Sequence, residues 1–194
     1  MVRSAKWLLA LALLVGLEQA AQAGMIPAAV SVTPDGGNFR FTYSVVLPTD
    51  YTLKAGDYFT IYDFNGLVAG TNSQPTNWTF SSPMTGPTPP HITPVDSASI
   101  ENLTWMYTGP SVSGQIGLGN FWALSTFGKE MDGDFTSFDH SQSAGRAVGN
   151  ITETSVPDPR SGGEINQTPE PATLAMFAAA VPLLGLCRLV RRRA

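Results

Sequence analysis

The chain has 194 residues, with 19 glycines, 15 prolines and only 13% charged residues, enough for one domain but well below the ~25% charge of ordinary soluble domains. Its formal charge of -4 hides a more acidic middle: residues 24–167 hold five basic and thirteen acidic residues, a balance that repels phosphate backbones and excludes nucleic acid as a partner. The single cysteine is Cys187, so the body forms no disulfide and does no thiolate chemistry.

The first stretch, MVRSAKWLLALALLVGLEQAAQAG, is basic at Arg3 and Lys6, then apolar from Trp7 to Leu17. It closes on Ala21-Gln22-Ala23, the small-x-small pattern that signal peptidase reads. An apolar run of 11 residues is too short to cross a bilayer but suits a secretory signal helix. Residues 1–23 are therefore expected to be a signal peptide, cut after Ala23 to leave Gly24 first.

Period-two alternation then recurs, and no stretch between Gly24 and Pro157 has convincing helical period with caps. FRFTYSVVL places Phe39, Phe41, Tyr43, Val45 and Leu47 on one face. DYFTIYD sets Phe59 and Ile61 against Tyr58, Thr60 and Tyr62, and Asn65-Gly66 marks a tight turn after it. NWTFSS is a short strand, NLTWMYTG alternates Leu103, Trp105 and Tyr107 with Thr104 and Met106, Ile116–Phe127 holds one or two strands, and Val148–Val156 the last. Ser81–Asp96 is too rich in proline for a central strand and is expected to be a loop. Six to eight short strands separated by turns predict an antiparallel β-sandwich ectodomain over residues 25–157, followed by a tether at 158–168.

Few side chains of the body form chemically suggestive patterns. The two histidines, His91 and His140, are expected in solvated loops. Asp139 beside His140 would supply two parts of a Ser-His-Asp triad, but no Gly-x-Ser-x-Gly elbow is present, so the chain reads as non-enzymatic. Zinc lacks a ligand set. GLGNFW, Gly117–Trp122, is a bulged strand rather than a nucleotide loop. Glu130, Asp132, Asp134 and Asp139 cluster around Gly133, and oxygen-rich loops of this kind can hold Ca²⁺. The EF-hand spacing is absent, and a plain polar hairpin loop without a cofactor outweighs that reading. Trp78, Trp105 and Trp122 would stack on sugar rings if exposed in a flat row, as in a carbohydrate-binding module, but core positions are the weightier expectation. Asn77, Asn102 and Asn150 stand in Asn-x-Ser/Thr sequons, in keeping with an exported surface.

The end of the chain is again unlike the body. Pro169-Glu170-Pro171 holds the backbone extended. From Ala172 to Cys187 no residue is charged, a helical length of ~24 Å against a ~30 Å hydrocarbon core. Leu189 and Val190 lengthen this marginal span to about 172–190 if Arg188 snorkels, and the basic tail 188–194 with Arg188, Arg191, Arg192 and Arg193 acts as a stop that stays cytoplasmic. These ordered features, with Gly185 inside the apolar run, resemble the PEP-CTERM sorting signal of exported proteins in Gram-negative bacteria that carry exosortases and make exopolysaccharide. The resemblance covers the last 27 residues. It implies that an exosortase recognises the triplet and removes the tail near it. The expected route is an inner-membrane-anchored precursor with a periplasmic body, then delivery to the cell surface or extracellular matrix, where exopolysaccharide would be a neighbour. A permanently anchored periplasmic protein is the plainer alternative.

Overall fold

The clearest alternation in the sequence becomes a strand of the core. In the computed structural model, which describes residues 24–160, FRFTYSVVL lies in β2 (Asn38–Leu47), and Phe41, Tyr43, Val45 and Leu47 are all buried. β1 (Ile26–Asp35) pairs with β2 through a two-residue turn at Gly36-Gly37, both with positive φ (57° and 86°). Such a turn matches the twist of a hairpin and is open to glycine without steric cost. β8 (Ile116–Ser125) pairs with the other edge of β2, completing a three-stranded sheet in the order β1-β2-β8.

The second sheet is larger. β5 (Trp78–Ser81), β6 (Leu103–Tyr107), β4 (Tyr58–Ile61) and β9 (Glu130–Ser141) pair in that order. β3 (Tyr51–Leu53) continues beyond β4 along the same edge of β9 and pairs with the short β7 (Val112–Ser113). β10 (Arg146–Pro157) covers the other edge of β9 along its whole length. All pairings are antiparallel. The two sheets face each other across one apolar core, an all-β arrangement consistent with a β-sandwich. No helix occurs among the described residues, and none there is long and apolar enough to cross a membrane.

Phe59 on β4 joins the layers. Its ring centroid lies 5.5 Å from that of Trp78, 5.3 Å from Trp105 and 5.3 Å from Phe135, all on the larger sheet. Phe121 on β8 meets it from the opposite sheet, edge-on at 4.9 Å. Ring pairs of this geometry contribute about 0.5–1.5 kcal/mol each beyond area burial.

The structure adds β1, β3 and β7, which were not expected as strands, and departs from the sequence expectations in three further places. Residues 129–140, expected as a polar hairpin loop, fall almost wholly in the central strand β9. Aspartate and glycine disfavour strands, but here pairing on both edges overrides that preference. The Asn65-Gly66 turn does not join neighbouring strands. It carries the chain across to the smaller sheet, where Leu67 bridges Ser125 and Ser73 bridges Trp122. Finally, the second face of β4 is not solvated. The proline-rich segment lies over it: the Pro87 carbonyl accepts hydrogen bonds from Tyr62 Oη (2.9 Å) and Thr60 Oγ1 (3.4 Å), and Thr60, Tyr62 and Thr136 are fully buried. Tyr62→Phe is expected to cost about 1 kcal/mol and to speed proteolysis within 82–96, measured by denaturant melts and timed digestion.

The expected signal helix with Ala21 and Ala23, the triplet Pro169-Glu170-Pro171, the span and the terminal arginines lie outside the described residues.

Candidate functional site

β9 alternates faces along its length, and that alternation sorts its acids. Asp132 and Asp134 fall on the outer face, whereas Phe135, Ser137, Asp139 and Ser141 point inward. Glu130 and Asp139 are nine positions apart on an extended strand, about 30 Å. The four carboxylates of the expected acidic loop therefore cannot converge on one ion. Asp134 Oδ2 instead accepts the Val95 N–H at 2.6 Å. Among the described residues no group of three or more histidines, cysteines or acids is placed to hold a metal.

Asp139 is the carboxylate that reaches the interior, and it is completely buried. Its Oδ2 accepts the backbone N–H of Met25 at 2.6 Å. Met25 is itself buried in the core, and its carbonyl faces Asn150 Nδ2 at 3.5 Å. The start of the described chain thus plugs this end of the core before β1 begins. Oδ1 of Asp139 and Oγ of Ser137, two residues along the same face, are buried without a hydrogen-bond partner among the described residues. Burial pushes the Asp139 carboxyl up to about 6, against the pull of the Met25 N–H, with the Asp57 charge adding to the rise and His140 opposing it.

Next to this recess a histidine meets a carboxylate. Asp57, in the turn before β4, is almost fully buried and accepts the Lys54 N–H at 2.7 Å and His140 Nδ1 at 3.1 Å. Burial raises its carboxyl too, offset by those two partners. His140 is therefore not a solvated loop residue. It sits in β9, half-buried, with its ring fixed by a carboxylate. A triad would further require a nucleophilic hydroxyl within hydrogen-bond reach of the ring's other nitrogen, and no serine or threonine hydroxyl among the described residues bonds to His140. His91 does lie in a loop, exposed, with φ of 64°, at the rim of an open recess of about 460 Å³ beside Arg146 and Gly149.

The tryptophans separate. Trp78 and Trp105 belong to the core. Trp122 is half-buried on the outer face of β8, with the Arg40 guanidinium 4.4 Å above its ring and Arg40 in turn paired with Asp35. The three thus form no flat exposed row. The sequons separate as well. Asn102 is fully buried, holding the Asp63 N–H and Asp96 at 2.8 Å each, and Asn150 is nearly so. Only Asn77, in a turn with φ of 69°, is exposed.

Gly24, Asp57 and Ser137 form this polar end of the core, yet the sequence marked only Gly24, and only as a chain start. The one available signal was the period-two run Phe135, Ser137, Asp139, Ser141. It was hidden because its inward positions are polar.

No protein-family model matches the chain, and comparison with curated proteins finds no match.

Proposed function

We propose that this chain is an exported, non-enzymatic protein of the cell surface or exopolysaccharide matrix, delivered by labels at its two ends. The single observation that carries the reading is the ordered C-terminal set: Pro169-Glu170-Pro171, an uncharged run from Ala172 to Cys187, then Arg188, Arg191, Arg192 and Arg193. A leader with the Ala21/Ala23 pattern at the opposite end complements it. In this reading signal peptidase removes residues 1–23, a helix from about 172 to 190 holds the precursor in the membrane, and an exosortase acts near the triplet. The acidic antiparallel body is the cargo. Among the described residues its core is assembled from side chains between Met25 and Val156.

The experiment is intact mass of the exported protein from cells with and without an exosortase. Loss of residues 1–23 in both, and loss of the tail beyond the triplet only with the exosortase, is the expected result. Changing Pro169, Glu170 and Pro171 together to alanine is expected to leave the tail attached. An unchanged C-terminus in exosortase-positive cells would sink the sorting reading and leave a permanently anchored protein.

A further inference from the structure

We propose that the buried recess formed by Asp139 and Ser137 is a binding site for the chain's own α-ammonium group, created on Gly24 when the leader is removed. This deepens the export reading and rests on cleavage after Ala23.

The geometry at Gly24 carries it. A Cβ placed on Gly24 would lie 2.6 Å from Asp139 Oδ2, 2.7 Å from Asp139 Oδ1 and 2.8 Å from Ser137 Oγ. A carbon at that point would have to push these three side-chain oxygens aside. The same point is well suited to an ammonium nitrogen, whose bonds to carboxylate oxygens run to about 2.7–2.9 Å. The nitrogen of Gly24 reaches it by a single rotation about the Cα–C bond, since N–Cα at about 1.46 Å has nearly the reach of a Cα–Cβ bond. An ammonium has three N–H donors, and three oxygens surround the point. A peptide nitrogen has one N–H and carries the preceding residue, so it cannot take this place. Two of the three oxygens, Asp139 Oδ1 and Ser137 Oγ, are buried atoms without a hydrogen-bond partner among the described residues. A buried carboxylate lacking a counter-charge is costly, and the freed terminus supplies one. The titratable groups bearing on the site are Asp57, which raises the Asp139 carboxyl, and His140, which lowers it. The inward β10 residues opposite, Val148 and Asn150, are uncharged.

The test uses the exported protein as cells release it. Intact mass first establishes the N-terminus. A start other than Gly24 refutes the cleavage reading, and the proposal with it. With Gly24 first, its α-amine is labelled with an amine-reactive reagent in folded and denatured protein, with exposed Lys54 as internal reference. Labelling in the folded state is expected to be about 100-fold slower than in the denatured state. It should keep accelerating with pH beyond the ordinary α-amine range of about 7.7–8.0, because an ion pair holds the proton whereas burial alone releases it. Asp139→Asn is expected to restore labelling by about tenfold or more, and Ser137→Ala by a smaller factor. Should Asp139→Asn fail to fold, the wild-type pH profile and Ser137→Ala decide the matter. Equal rates in folded and denatured protein, or a labelling midpoint below the ordinary range, overturns the proposal while leaving export intact.

Discussion

Phe59→Ala is expected to destabilise the folded chain by about 3–5 kcal/mol, the range for deleting a fully buried aromatic side chain. The effect is placed at the top of that range by what the ring touches. Phe59 is wholly buried and packs on Trp78, Trp105, Phe121 and Phe135. Phe121 belongs to the smaller sheet, so truncation opens a cavity between the layers rather than within one. Trp105 on β6 and Phe135 on β9 belong to strands paired on both edges, which limits collapse into the void. Urea melts followed by tryptophan fluorescence measure the change, because Trp78 and Trp105 report directly on the site. Phe59→Leu, which fills more of the space, is expected to cost less than half as much. Trp122→Ala removes an indole on the outer face stacked by Arg40 and is expected to lose only about 1 kcal/mol. Equal losses at positions 59 and 122 would contradict the two-layer core.

The second large effect is a pH dependence with an unusual sign. While residues 1–23 remain attached, the Asp139 carboxyl is raised to about 6 by burial, against about 3.9 in an unfolded chain. A folded-state value above the unfolded one means that the fold prefers the protonated form. Stability from this group is then fully present below about pH 4 and is lost as pH rises through about 6. The shift corresponds to about 3 kcal/mol. Asp57 is raised in the same direction and adds to the trend. The full-length chain, kept uncleaved by replacing Ala21 and Ala23 with bulky residues, is therefore expected to show larger protection factors for the β9 amides, each rate divided into that of the unfolded chain at the same pH, at pH 5 than at pH 7.5. Asp139→Asn should abolish most of that difference. Removal of the leader is expected to reverse it, since an ammonium on Gly24 favours the ionised carboxylate. Identical pH profiles before and after cleavage would show that the amine never reaches the recess.

These effects also separate what pattern can reveal from what packing decides. β2, β4 and β6 were legible because one face of each is apolar at period two, and burial of that face needs no knowledge of partners. β9 was not legible. Its inward residues Ser137, Asp139 and Ser141 are polar, and Asp132, Gly133 and Asp134 disfavour a strand. It is a strand because β10 pairs along one edge and β4 and β3 along the other. Thr60 and Tyr62 read as an ordinary polar face, yet they are buried because a distant proline-rich segment lies across them.

By itself the sequence determined the class of the body, antiparallel and all-β, since the hydrophobic period is a local property of the chain. The expectation of labels at both ends has the same local origin, in ordered runs of charge, apolarity and proline. Only the tertiary structure decided which polar groups are buried and which of them meet. Gly24 and Asp139 are far apart in sequence, and their closeness arises from strand register and the facing of two sheets. Desolvation in that shared space gives Asp139 its raised protonation and leaves two oxygens at the distance an ammonium requires. No local pattern encodes that distance, because it depends on residues more than a hundred positions apart being folded together.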